Sequence, residues 1–158
     1  MTRSCLGEKD VSEIIPKLWL GNYKSALSRK FINKHNIKYI INVTKNIPNL
    51  FEKDGIKYLN IKINDIDTRY QNINDMLDLC NKFISDALQK NNGILVHCKK
   101  GHHRSASIVA SYLIKNLKYD YVKAILLINS IRKCALSRNA CMLNGVYKYY
   151  IEHTNINS

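Results

Sequence analysis

Acidic side chains are scarce in this 158-residue chain: 12 Asp and Glu stand against 25 Lys and Arg, a formal net charge of +13. Such a surplus favours acidic partners, whether phosphoproteins, nucleic acid or anionic lipid. The basic residues are spread out, with no block of five or more, so the charge alone names no nucleic-acid patch. Long apolar runs are missing too. None approaches the ~20 residues a spanning helix needs, so no membrane span is expected. The start, Met1 to Glu8, has no apolar signal-peptide core. Thr2 stands where a myristoylation signal needs glycine, and the final Asn-Ile-Asn-Ser is no prenylation box. The five cysteines, at 5, 80, 98, 134 and 141, are an odd set without staple-like spacing or a Cys-x2-Cys pair. Unpaired thiols in a reducing, intracellular compartment are therefore expected. Internal repeats and low-complexity linkers are absent as well.

What remains is ordinary globular material. Hydrophobic residues make up 46% of the chain, enough for a core, and the length suits one domain. Residues 1–12 are polar and aperiodic and read as an N-terminal arm. Pro16 and Gly21 bracket a short strand, Leu18–Leu20. A helical stripe over Ser25–Asn36 follows, with Ser25 as its cap. Strands are expected at Ile37–Val43 and Ile56–Ile63, with a loop around Pro48 between them. Asn64–Asn74 is a polar connection. Met76 to Leu88 makes a long helical stripe ended by Asn92-Gly93. Asp120 caps a helix over Tyr121–Cys134, and a final helix carries Met142, Val146, Tyr149 and Tyr150. Strands alternating with helices predict an α/β fold, a mostly parallel central sheet with helices on both faces.

The chemistry concentrates in His97-Cys98-Lys99-Lys100-Gly101-His102-His103-Arg104-Ser105. The apolar run Gly93–Val96 before it reads as a buried strand, and Ser105–Ile114 after it reads as a buried helix. The loop therefore joins a strand end to a helix start, where such sheets bind ligands. Helix N-termini present unpaired N–H groups and partial positive charge, which attract anions. Gly101 lets successive amides turn inward as a nest. A thiol in that position ionises readily, and Arg104 offers a two-pronged donor to phosphate.

Cys98 and Arg104 with five residues between them, followed by Ser105, resemble the signature of the protein tyrosine phosphatase superfamily. The context is similar to its small dual-specificity branch, including the compact viral type. The resemblance runs from about Ile14 to about Ile151 and implies a catalytic domain over residues 13–153, between the arm and a tail at 154–158. It implies hydrolysis of phosphotyrosine, phosphoserine and phosphothreonine in proteins, with Cys98 as nucleophile and Arg104 and the amides of residues 99–104 on the phosphate oxygens. Ser105 would ease departure of the sulfur. His97 would support the loop. Lys99, Lys100, Gly101, His102 and His103 would line the substrate. The general acid would come from the connection before the long helix, where Asp65 fits the family pattern best and Asp67 is second. No cofactor or metal is implied. Phosphoprotein substrates are the implied partners, in the cytoplasm, or in the virion or host cytoplasm for a viral chain.

Other readings share these residues. Lys99 resembles the basic loop position of phosphoinositide phosphatases, and the charge suits RNA 5′-triphosphatases. His102 and His103 depart from the small or apolar residues common there. Sulfurtransferases of the rhodanese type cradle a cysteine in a loop one residue shorter, which favours phosphate here. A non-catalytic phosphate-binding module would commonly have lost the Cys, the Arg or the acid. Zinc chemistry exists in His97, Cys98, His102 and His103, but four residues in one turn make a poor tetrahedron.

Overall fold

A computed structural model describes residue 5 and residues 7–62, 73–136 and 143–154 of the chain. Its centre is a five-stranded sheet built from β1 (Val11–Ile15), β2 (Leu18–Gly21), β3 (Ile37–Asn42), β4 (Lys57–Asn60) and β5 (Gly93–His97), in the order β1-β2-β5-β3-β4. β1 runs antiparallel to β2, and every other pairing is parallel. The expected α/β architecture with a mostly parallel sheet is thus the observed one.

Parallel strands covered on both faces read as continuous apolar runs, and β3 and β5 do. Side chains alternate across each strand. Ile94 and Val96 of β5, with Tyr39 and Ile41 of β3, enter the larger core. Leu95 and Ile40 enter a smaller core on the opposite face, with Ala26, Ile32 and Phe51. The larger core is closed by α3 (Ile73–Gln89), α4 (Arg104–Leu117), α5 (Tyr121–Ile131) and α6 (Leu143–Thr154), and the smaller by α1 (Tyr23–Ala26) and α2 (Arg29–Lys34). Trp19 packs edge-on to Phe31, ring centroids 5.3 Å apart.

Local expectations are corrected at several places. β1 begins inside the stretch read as an arm. A register shift between Glu13 and Ile15 breaks its alternation, which hid the strand in the sequence. The expected Ser25–Asn36 helix is two. Asn22 caps α1 and Ser28 caps α2, each side chain accepting a backbone N–H, while Ser25 lies inside α1. Its apolar stripe is continuous across the break, so periodicity could not reveal it. Strand β4 stops at Asn60, short of the expected Ile63. Helix α5 stops at Ile131, short of Cys134, but its predicted cap stands: Asp120 accepts the Lys123 N–H at 2.8 Å.

The cysteine reading is corrected as well. Cys5 and Cys134 form a disulfide, Cα atoms 6.0 Å apart across 129 positions of sequence. Cysteine spacing carries no information about a pair the fold brings together. Cys80 and Cys98 are free and buried.

Candidate active site

Strand β5 is buried along its whole length and ends at His97. Its neighbours end beside it, since Gly21 of β2 and Asn42 of β3 are both in register with His97. The loop 98–103 therefore sits where three parallel strands finish, and α4 starts directly after it.

Within the loop, Cys98 is 3% exposed. Its sulfur receives the Gly101 N–H at 3.2 Å and lies 3.1 Å from the Ser105 hydroxyl. The Gly101 N–H and, when the hydroxyl acts as donor, the Ser105 O–H both point at the sulfur. Ser105 is not the cap of α4: that position belongs to His103, which makes no capping side-chain bond. The Ser105 hydroxyl is directed instead to the nucleophile candidate.

The carbonyls of the loop are turned to the surrounding protein. Lys99 O accepts from the Tyr23 N–H at 3.2 Å, His102 O from Leu136 at 2.8 Å and His103 O from Ser107 at 2.9 Å. Gly101 holds φ at 71° and has no room for a side chain, because a Cβ there would stand 2.6 Å from the Gly21 carbonyl carbon and oxygen. Glycine is required on both counts.

Arg104 is 8% exposed, and its Nη1 donates to Val43 O at 3.1 Å, tying the head of α4 to the end of β3. His97 is fully buried, and burial pulls its pKa down to about 4. The Cys98 backbone partly opposes this, and the Arg104 charge adds to it. The ring is therefore neutral at pH 7, with Nδ1 3.4 Å from Cys98 O. Lys99 and Lys100 are exposed on the rim. The His102 ring is engaged by Glu8, Nε2 to Oε2 2.5 Å, so its contribution to a bound anion would come through the backbone N–H. His103 is half-buried beside it. Asp65 and Asp67 lie outside the described residues. Among the described residues no three His, Cys, Asp or Glu side chains come together as a metal site.

Two residues escaped the sequence reading. Arg132, 1% exposed, reaches the loop from the end of α5, and Glu8 of the arm meets it there. A signal for Arg132 was present: Ala124, Ile128 and Arg132 are spaced by four, so a cation occupies the buried face of a helix. Glu8 had none, lying in an aperiodic segment.

Comparison with known proteins agrees with this geometry. The chain matches the family model described as "Dual specificity phosphatase, catalytic domain" over residues 18–152. Human dual specificity protein phosphatase 6 is 41% identical over 118 residues, and human dual specificity protein phosphatase 9 is 38% identical over 118. Each alignment covers 70% of this chain and 30% of the relative, so the chain spans under a third of those proteins' length. The crystal structure of human DUSP28 superposes with a TM-score of 0.81 at 21% identity, covering 95% of this chain and 97% of that one. A cysteine-bearing loop between β5 and α4 and a family match across most of the length lead to one conclusion: this chain belongs to the dual specificity phosphatase catalytic-domain family.

Proposed function

We propose that the chain hydrolyses phosphotyrosine, phosphoserine and phosphothreonine monoesters in proteins through a cysteinyl-phosphate. The observation that carries this is the buried Cys98 sulfur with an inward N–H at 3.2 Å and a hydroxyl at 3.1 Å, at the head of a helix. Phosphoryl transfer asks the protein for positioning and charge neutralisation more than for covalent work.

The Cys98 thiolate attacks phosphorus, and the bond from phosphorus to the substrate oxygen breaks. The loop amides and Arg104 hold the three remaining oxygens. Asp65 supplies a proton to the leaving oxygen, with Asp67 as the alternative. Water then attacks the cysteinyl-phosphate, the sulfur–phosphorus bond breaks, and Ser105 donates to the departing sulfur. Neutral His97 keeps the loop backbone in place, while Lys99 and Lys100 add positive potential at the rim. Residues 11–154, from the start of β1 to the end of α6, make the catalytic unit in this reading, with the segment before β1 as its arm.

Among the described residues no helix is long and apolar enough to cross a membrane. We place the protein in the reducing cytoplasm, which protects a nucleophilic thiolate from oxidation. The Cys5–Cys134 disulfide of the structure is then the oxidised form of the pair, and reduction in that compartment gives the dithiol. Alkylating thiols before lysis should label both residues, and a bridge surviving that treatment would move the protein to an oxidising compartment.

The functional test compares a phosphopeptide set, a 5′-triphosphate RNA and a phosphoinositide vesicle. Phosphopeptides should be turned over fastest, with no inhibition by EDTA, and Cys98→Ser should lose turnover while keeping the fold. Wild-type-like rates in Cys98→Ser would end the thiolate mechanism, and preference for the RNA or the lipid would reassign the substrate. Asp65→Asn should slow poor leaving groups more than good ones; that pattern in Asp67→Asn alone would reassign the acid.

A further inference from the structure

A loop that grips an anion must keep its carbonyls pointed away from it. A trans peptide is planar, so a carbonyl and the N–H that follows it point in opposite directions. None of the described peptides is cis. Each carbonyl anchored outside the loop therefore delivers the next N–H to the inside. The backbone holds Lys99 O, His102 O and His103 O in this way. Among the described residues no backbone N–H holds the middle of the loop, and its two carbonyls share a single side chain instead.

That side chain is Arg132. Its Nε donates to Gly101 O at 3.1 Å and its Nη2 to Lys100 O at 3.5 Å. Its other edge faces the chain start, with Nη1 donating to Lys9 O at 2.9 Å and Ser12 Oγ at 3.1 Å. Glu8 Oε2 lies 3.7 Å from Nη2 and balances the charge. The same carboxylate takes the His102 ring through Oε2 and the Cys134 N–H through Oε1. A guanidinium this buried is stable only with its donors and charge matched, and these contacts match them. Burial pulls the Arg132 pKa down, while Glu8, Cys98 and Asp10 push it back up.

We propose that Arg132, with Glu8 as its counter-ion, is a positioning residue for the phosphate loop. Its fork sets the two peptide planes at Lys100–Gly101 and Gly101–His102, so that the N–H groups of Gly101 and His102 face the bound oxyanion. The Gly101 N–H on the Cys98 sulfur is the product of that setting. A left-handed glycine has no side chain to brace it, so the brace comes from 31 residues away in sequence. This inference rests on the phosphatase reading above.

The test measures aryl phosphate hydrolysis and tungstate affinity by calorimetry in wild type, Arg132→Lys, Arg132→Met and the Arg132→Met/Glu8→Gln double variant. Arg132→Met should lose about 100-fold in kcat, the scale of a misplaced reacting group, and at least tenfold in tungstate affinity. The double variant removes both buried charges. It should regain thermal stability without regaining kcat or tungstate affinity, which a merely structural role would restore. Arg132→Lys keeps the charge but not the fork, and should fall between. A folded variant within twofold of wild type in both readouts would overturn the role. If the variants do not fold, nitrogen-15 spectra of the wild-type protein decide. Saturating tungstate should shift the Arg132 Nε–H resonance together with the Gly101 and His102 amides, and an unmoved Arg132 resonance would overturn the coupling. Wild type that binds tungstate without turnover sinks the enzymatic reading alone, since affinity still reports the loop. Wild type that turns over beside unaffected variants sinks the Arg132 role alone.

Discussion

Replacing Gly101 by alanine separates two costs that the fold imposes on one residue. The first is conformational. At φ 71° a side chain meets its own backbone, a penalty of about 1–2 kcal/mol. The second is contact. The new Cβ would stand 2.6 Å from the Gly21 carbonyl carbon and oxygen and 3.0 Å from Arg132 Nη2. The carbonyl belongs to the last residue of β2 and cannot swing aside as a long side chain could, so the gap must open by roughly 1 Å to reach ordinary contact. Overpacking of that kind costs a further 1–3 kcal/mol, roughly. The loop absorbs the movement, and with it the Gly101 N–H on sulfur. A displacement near 1 Å costs about 10²-fold in rate. Gly55 is the internal control, since it has φ 80° and nothing within 4 Å of a built Cβ. Gly55→Ala should cost only the conformational share and leave activity alone. The assay is urea unfolding with kcat/KM on an aryl phosphate for both variants. Gly101→Ala should be the less stable of the two by about 1–3 kcal/mol and slower by about two orders of magnitude. Activity of Gly101→Ala within threefold of wild type, or an equal activity loss in Gly55→Ala, would refute the argument.

Three further outcomes follow from the site and its surroundings. His97 has a folded-state pKa of about 4 against the usual 6.5, because burial disfavours its charged form. The unfolded chain takes that proton first, so stability should fall as pH drops from 6.5 towards 4. At 1.36 kcal/mol per pH unit the loss reaches about 3 kcal/mol. Urea unfolding across that range should show the component in wild type and not in His97→Gln; equal slopes would contradict it. Ser105→Ala should slow release of the cysteinyl-phosphate, giving a burst of about one product per enzyme before slow turnover. Linear product release from the first turnover would exclude this role. Burial pushes the Cys80 thiol up to about 12. Iodoacetamide at pH 8 should therefore leave Cys80 untouched in the native protein while modifying Cys98, and peptide mapping that finds both modified alike would disprove it.

The amino-acid sequence by itself determined the parts whose physics is local. Apolar runs at Ile37–Val43 and Gly93–Val96 made buried strands, because each strand needs only its own side-chain pattern to demand two covered faces. Asp120 capped its helix because a cap is settled within four residues. The thiol, the glycine, the guanidinium and the hydroxyl of residues 98–105 stood together in the chain, so their meeting in space was legible from spacing. The tertiary structure alone decided what depends on distant segments. The broken register at Glu13 concealed β1, and an apolar stripe bridged the gap between α1 and α2. Cys5 found Cys134, and Glu8 found Arg132, because the arm returns across the end of α5, a route no local pattern encodes. The direction of the Lys100 and Gly101 carbonyls belongs to the same class. A glycine leaves the peptide plane free to turn, and only a donor brought from elsewhere in the fold can hold it.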